Sequence, residues 1–279
     1  MRRSRRPDGM ALIAVLWLVA AMSIIISGIV RTVRIEAQTV GMQRQTVVAS
    51  AKADAAILLA LQHLHARQKA MSRHLQTLPV EFDGTTYEVL VAPLNGLIDI
   101  NTASASLLAD LFQFAANVSH QEAQTLAQAT LSSRRLKNAK NIEQGFESIA
   151  DLMRVPGIDY GIYDKVRQLV TVATKSGSGR VNPLASPLSV LTVLTTGNDA
   201  RANQFISQRD AAPDNVDTTF FKPDSIDMSA STSLKLQVDV ELPDGTLLQK
   251  DWHILWAADP RSSLPWRVLG THQMLLQPK

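Results

Sequence analysis

Arg2-Arg3-Ser4-Arg5-Arg6-Pro7-Asp8-Gly9, running into Met10-Ala11-Leu12-Ile13-Ala14-Val15-Leu16-Trp17-Leu18-Val19-Ala20 and on to Val30, is the stretch whose reading decides the fold. Four arginines precede 21 residues without a charge, and charge returns only at Arg31 and Arg34. A run of about 20 apolar residues is long enough to cross roughly 30 Å of hydrocarbon as a helix. The basic flank lies on the N-terminal side, which predicts a cytoplasmic leader and an exported remainder. A cleaved secretory signal would have a shorter apolar core, about 7–15 residues, closed by small residues. Here Met22-Ser23-Ile24-Ile25-Ile26 carries straight on. A plain, unprocessed signal anchor is the other simple reading. It does not account for a basic leader that ends in glycine directly before the helix.

The 279 residues leave room for one or two domains, and 46% hydrophobic with 19% charged residues fits a folded chain carrying one membrane segment. The absence of cysteine excludes thiol catalysis and cysteine-ligated metals. A sequence pI near 9.3 suggests nucleic acid until the charges are placed. The net charge is +3, and the leader alone, four arginines and Asp8, supplies +3. The chain beyond Gly9 has 24 basic and 24 acidic residues. The basicity is a topology signal rather than a phosphate-binding footprint.

From Arg31 to about Met71 the chain has no proline and one glycine, and its apolar residues recur at helical spacing. The pattern predicts one helix from about Met10 to about Met71, about 90 Å long at 1.5 Å per residue. Leu78-Pro79 reads as its break. Phe82-Asp83-Gly84 reads as a turn, Thr85 to Val91 as a strand, and Leu97 to Ile100 as its hairpin partner across Asn95-Gly96. Helices are predicted after the cap residues Asn101-Thr102-Ala103-Ser104, from Ser119 to Leu131 with a Ser119/Glu122 capping box, and from Ser148 to Met153. Two more are predicted from Asp159 to Val170 and from Asp199 to Arg209, with Ser186-Pro187 opening a leucine-rich one between them. Ser176-Gly177-Ser178-Gly179 is punctuation. The tail reads as strands Leu234 to Leu242, Leu247 to Trp256 and Trp266 to Leu276, with Trp252 and Trp256 on one core face and Trp266 exposed. The expected class is α+β: a long helix, a small sheet built from both ends of the sequence, and a helical insertion between its strands.

These segments together resemble a known family. The leader and helix are similar to those of type IV prepilin-like proteins. Ile98-Asp99-Ile100-Asn101-Thr102-Ala103, Leu152-Met153-Arg154-Val155-Pro156-Gly157-Ile158, Leu169-Val170-Thr171-Val172 and Gly179-Arg180-Val181-Asn182-Pro183 are similar, in order, to GspK, the large minor pseudopilin family of type II secretion systems. The resemblance implies a type IV pilin-like fold, a long transmembrane helix packed on a small antiparallel sheet with a helical domain inserted between strands. The implied division is a leader, 1–9; a membrane half of the helix, 10–30; its periplasmic half, 31–75; a sheet region, 76–100 and 210–279; and the insertion, 101–209. It implies cleavage between Gly9 and Met10 by a prepilin peptidase and N-methylation of Met10. Most pilin-like subunits carry glutamate five residues after the cut. Here that position is Ala14, a departure that GspK-like proteins share. A carboxylate in hydrocarbon is costly unless paired, and a first subunit has no predecessor to pair with, so Ala14 fits a tip position. Bulk from the insertion fits a cap better than a shaft whose helices pack at about 8–10 Å.

The implied function is non-enzymatic: a tip subunit that nucleates a pseudopilus for protein export. Its partners would be the minor pseudopilins I, J and H, the prepilin peptidase and the inner membrane, which it would cross once with its bulk in the periplasm. Helix-to-helix packing would run through Val47, Ala51, Ala55 and Leu58. No cofactor is expected. Calcium is associated with some of these proteins, but Asp99, Asp110, Asp151, Asp159 and Asp164 are too scattered to nominate a site, and the metal assignment stays unknown. The histidines, His63, His65, His74, His120, His253 and His272, form no HExxH pattern. The alternative is a membrane-anchored helix-hairpin-helix DNA-binding protein, suggested by Val155-Pro156-Gly157-Ile158. Asp159 stands where such hairpins place a second glycine, and its charge opposes phosphate, so no nucleic-acid partner is expected. An anchored enzyme would need a nucleophile-base-orienter set, which the sequence does not offer.

Overall fold

The computed structural model describes residues 8–66, 73–136, 145–172, 178–212, 215–258 and 263–276. The leader's residues 1–7, the predicted helix end at Met71 and half of the Ser176–Gly179 punctuation lie outside them. The molecule is α+β. A single helix, α1 (Asp8–Ala66), is followed by β1 (Gln76–Phe82) and β2 (Thr85–Pro93). A helical region then holds β3 (Ile98–Asp99), α2 (Ala105–Phe114), α3 (His120–Arg134), a 3-10 turn (Ile149–Arg154), α4 (Tyr160–Val166), β4 (Val170–Thr171), α5 (Leu188–Leu194) and α6 (Asp199–Ala211). The chain closes with β5 (Ser233–Glu241), β6 (Leu247–Leu255) and β7 (Arg267–Leu276).

The antiparallel sheet has the order β1-β2-β5-β6-β7. The last residue of β2, Pro93, sits opposite Leu234 near the start of β5. The chain therefore leaves the sheet and re-enters it at adjacent points, and the helical region between them is an insertion into a hairpin-like pair.

The predicted hairpin is corrected. Thr85 to Pro93 pairs with the preceding strand β1, not with Leu97 to Ile100. Asp83 (φ 51°) and Gly84 (φ 70°) make the two-residue turn with positive φ at both positions that suits strand twist. Pro79 does not break a helix. It lies within β1, which is an edge strand, where a missing N–H costs no ladder bond. Ile98–Asp99 pairs in parallel with Val170–Thr171, and Asn95-Gly96 falls in a 3-10 turn. Trp266 is buried, 5% exposed, its ring tilted against that of Trp256 with 5.5 Å between centroids. Ser186 does not cap α5. Its hydroxyl donates to the carbonyls of Gly96 and Asn182, and Pro187 takes the cap position.

The molecule has two cores. In the first, Ala49, Ala53, Ala56, Ile57, Ala60, Leu61 and Leu64 of α1 face Val89, Val91, Leu234, Leu236, Val238, Leu248 and Ile254 of the sheet. The alanines let the helix axis sit close to the strands, and each fully buried Leu or Ile contributes about 1.5–3 kcal/mol. The second core lies in the helical region, around Leu107, Leu108, Leu111, Phe112, Leu152, Leu191 and Phe205, and takes in Ile98, Ile100 and Phe221 from the segments flanking it. Ser104, Ser119 and Asp159 cap α2, α3 and α4 by accepting the N–H groups of Leu107, Glu122 and Ile162.

Buried Asn182 ties the helical region to the sheet's connections. Its Nδ2 donates to the Arg73 carbonyl at 2.7 Å, and its N–H donates to the Asn95 carbonyl at 2.7 Å. Beside it, a Cβ placed on Gly96 would collide with the Ala185 carbonyl. Gly96→Ala is therefore expected to cost about 1–3 kcal/mol through backbone overpacking. A depressed melting temperature of the purified full chain in detergent checks this.

Candidate functional site

Among the described residues no group of three His, Asp or Glu side chains is placed to hold a metal ion. The five aspartates singled out in the sequence are apart, each engaged locally. Asp99 accepts from the Asn101 N–H and the Thr102 hydroxyl, Asp110 pairs with Lys222, and Asp151 accepts from the Ser148 N–H. Asp159 caps α4, and Asp164 pairs with Arg167. In the Val155–Ile158 turn Val155 and Ile158 are buried, Pro156 and Gly157 (φ +89°) are exposed, and a Cβ added at Gly157 would collide with Leu126. The carboxylate of Asp159 occupies the helix N-terminus that a phosphate would otherwise meet.

The candidate site is instead the face of α1 turned away from the sheet. Residues four and three apart share a helix face, and Val47, Ala51, Ala55 and Leu58 follow that spacing. Val47 is 67% and Leu58 38% exposed, Ala51 is exposed and Ala55 half-buried. Val40, about two turns before Val47, is exposed on the same side. Ala49, Ala53, Ala56, Ala60 and Leu64, on the opposite face, are buried against the sheet. The result is an apolar stripe with no covering element among the described residues. Toward the N-terminus Ile13, Val15, Leu16, Trp17, Leu18, Val19 and Met22 are all exposed, so that part of α1 is apolar all round. Gly9 and Met10 lie in the first turn of α1 and Ala14 in the next.

A polar clasp sets which face points out. Lys250 of β6 donates to Asp54 Oδ2 at 2.6 Å and to Ser50 Oγ at 2.8 Å. Trp252 Nε1 donates to Asp54 Oδ1 at 3.0 Å, and Ser50 Oγ donates to Gln273 of β7 at 3.1 Å. Both oxygens of one α1 carboxylate are thus held by one strand. The sequence reading does not contain this clasp, although it carries a signal for it. Leu248, Trp252 and Ile254 share the inward face of β6, and Lys250 is the charged residue at that same period.

On the sheet's other face a second cluster crosses three strands. Asp251 of β6 lies 4.0 Å from Lys235 of β5 and 3.5 Å from His253 Nε2, and the ring of His272 of β7 is 5.8 Å from that of His253. Burial holds the His253 imidazole below its ordinary value, with Lys235 and His272 acting the same way and Asp251 opposing.

No family model matches the chain, and a search of the curated proteins finds no match. In fold it is similar to a chain in the crystal structure of the GspK-GspI-GspJ complex from the type 2 secretion system of enterotoxigenic Escherichia coli. The TM-score is 0.54, over 86% of this chain and 99% of that one, at 16% identity. The two share a pilin-like fold with a long helix laid on an antiparallel sheet.

This geometry predicts two outcomes. Asp54→Ala strands the Lys250 ammonium against an apolar face and is expected to cost about 2–3 kcal/mol, most of it recovered in an Asp54→Leu, Lys250→Met double variant. Denaturant melts of the three proteins measure this. For His253 the folded-state pKa is lowered, so its contribution to stability is intact above the unfolded imidazole value and is lost as pH falls below it. The melting temperature should decline between about pH 6.5 and pH 5, and His253→Gln should flatten that decline.

Proposed function

We propose that this chain is a minor pseudopilin of the GspK kind, a non-enzymatic subunit at the tip of a type II secretion pseudopilus that nucleates its assembly for protein export. The observation that carries the reading is the insertion of a helical domain between the paired strands β2 and β5 of a pilin-like sheet, in the fold found in the GspK-GspI-GspJ complex. Residues 10–30 of α1 cross the inner membrane, with the arginine leader cytoplasmic and the sheet and helical domain periplasmic. A prepilin peptidase cuts between Gly9 and Met10, and Met10 is methylated. Val47, Ala51, Ala55 and Leu58 pack against the helices of partner pseudopilins I and J, with H below them. Burial of that stripe supplies the association energy at about 25 cal/mol per Å². Ala14, in place of a buried acid, suits the subunit that enters first.

The mature N-terminus tests the reading. Mass spectrometry of the protein from its native host is expected to show a chain beginning at methylated Met10. Gly9→Leu should leave the leader attached and halt export of the system's substrates. A chain that keeps residues 1–9 in a secreting cell would refute the proposal. Val47→Arg and Ala51→Arg lie on the open face and should alter folding stability by no more than about 0.5 kcal/mol. Both should abolish co-purification with the partner pseudopilins.

A further inference from the structure

A cleft of about 610 Å³ opens where α1 first meets the sheet. Its floor is Tyr87 of β2, Val240 of β5 and Leu242 of the β5–β6 turn, all buried. Its helical wall runs from Gly41 through Arg44 and Val48 to Lys52, which pairs with Asp83 of the β1–β2 turn at 2.9 Å. Glu241 is the one carboxylate among the lining residues. A mostly apolar cleft of this size holds a ligand or a large side chain.

Gly41 answers to something outside the chain. It stands in the interior of a long helix, where glycine is less favourable than alanine. A Cβ built on it meets nothing within 4 Å, so the fold of this chain does not require the missing side chain. Close approach of a body packed across the helix does require it. Around it Val40, Gly41, Arg44, Val47, Val48 and Ala51 are all exposed and lie within about 120° of the helix circumference. From Val40 they follow the i+4, i+7, i+8 spacing of a helix-packing face, which joins the cleft to the open stripe.

Charge names the chemistry of the occupant. From Arg31 to Ala53 the helix carries Arg31, Arg34, Arg44 and Lys52 against Glu36 alone, a net charge of +3. Arg44 stands at the cleft, exposed and in no ion pair among the described residues. An occupant that brings a carboxylate matches it. A lipid headgroup does not reach this point. With residues 10–30 in the bilayer, Arg44 lies about 21 Å along the helix beyond Val30, whereas the headgroup layer is only about 5–8 Å deep. A second copy crossing the membrane in the same direction would bring its own +3 stretch against this one.

We infer that the cleft seats the partner pseudopilin helix that packs on the stripe. That helix crosses α1 over Gly41, sets an apolar side chain on Tyr87, Val240 and Leu242, and brings an Asp or Glu to Arg44. The inference rests on the pseudopilin reading and deepens it, adding the crossing point and the acid. In a tip subunit the partners lie on the membrane side, and the cleft opens at the end of the sheet nearest residues 10–30.

The test co-expresses the full chain with the pseudopilins I and J of its own host. A photoreactive benzophenone amino acid is placed either at Val47 on the stripe or at Thr85 on the far wall of the cleft. Both positions are expected to crosslink to the long helix of one partner, with an Asp or Glu within about four residues of the joined one. Gly41→Leu should raise the melting temperature of the chain purified alone, yet weaken its association with that partner at least about tenfold. Arg44→Glu should weaken association at low salt, the difference shrinking as salt is added. A crosslink from Val47 with none from Thr85 would overturn the cleft assignment and leave the pseudopilin reading standing, whereas crosslinks from neither would overturn both. A Thr85 crosslink to lipid, to a second copy or to a partner segment without an acid would overturn the inference, as would a Gly41→Leu chain that binds at full affinity.

Discussion

The rotation of α1 about its own axis is the constraint on which the rest depends. A helix can lie on a sheet with any face down, and the buried and open faces here differ by only a few residues. What selects the rotation is a combination of small residues and one charge pair. Ala49, Ala53, Ala56 and Ala60 permit close approach, and Asp54 is the point at which Lys250 and Trp252 take hold. Successive residues lie about 100° apart around the helix, so Val47 and Ala49 face nearly opposite ways, and a helix rolled by about half a turn would separate Asp54 from Lys250 and bury Val47 and Leu58 in place of the alanines. A half-buried ion pair such as Asp54–Lys250 is weak as a source of stability and well suited to choosing one register. The outward stripe thus exists because the inward one is specified.

A similar division of labour governs the join between the two cores. The insertion begins after Pro93 and ends before Ser233, neighbours across the sheet, so its presence need not disturb the strands that flank it. Its orientation is fixed by short backbone contacts around Asn182, Gly96 and Ser186. The Ser186 hydroxyl reaches the Gly96 carbonyl, and Asn95 Nδ2 donates to the Ser229 carbonyl. Asn101 plays the corresponding part deeper in the helical region. Its side-chain oxygen accepts from the Phe146 N–H and its amide donates to the Phe146 carbonyl, holding together segments 45 residues apart. Asn101, in Ile100-Asn101-Thr102-Ala103, and Asn182, in Val181-Asn182-Pro183-Leu184, share the task of an amide clamping backbone.

Whatever local chemistry decides alone is legible in the sequence. The long helix, the three C-terminal strands and the caps Ser104 and Ser119 come from periodicity and hydrogen-bonding side chains. The first strand is not legible, because Pro79 excludes a central strand but not an edge one, and edge position is a property of the whole sheet. The pairing of Ile98–Asp99 with Val170–Thr171 joins two-residue pieces 72 positions apart, too short to carry any alternation. Trp266 reads as a surface residue for want of a periodic neighbour, and only the fold brings it beside Trp256. Of the candidate surface, the stripe is legible in its spacing. Its freedom from cover is not, because that depends on where Lys250 finds Asp54.

The long helix contains two stretches that composition alone would send into lipid. Glu36–Ala66 has a mean hydropathy of 1.3 in its most apolar window, but 39% of that window is buried inside the protein. It also carries Arg44, Lys52 and Asp54, with Lys52 paired to Asp83 and Asp54 to Lys250. Its apolar residues are therefore consumed by the sheet on one side and left as a stripe on the other, which is the pattern of a helix between protein surfaces. Residues 10–30 have no charge to satisfy and no sheet to meet, and the side chains described there are exposed around the circumference. In the proposed reading the uncharged stretch lies in lipid, the stripe meets a partner helix, and charge returns between them at Arg31 and Arg34.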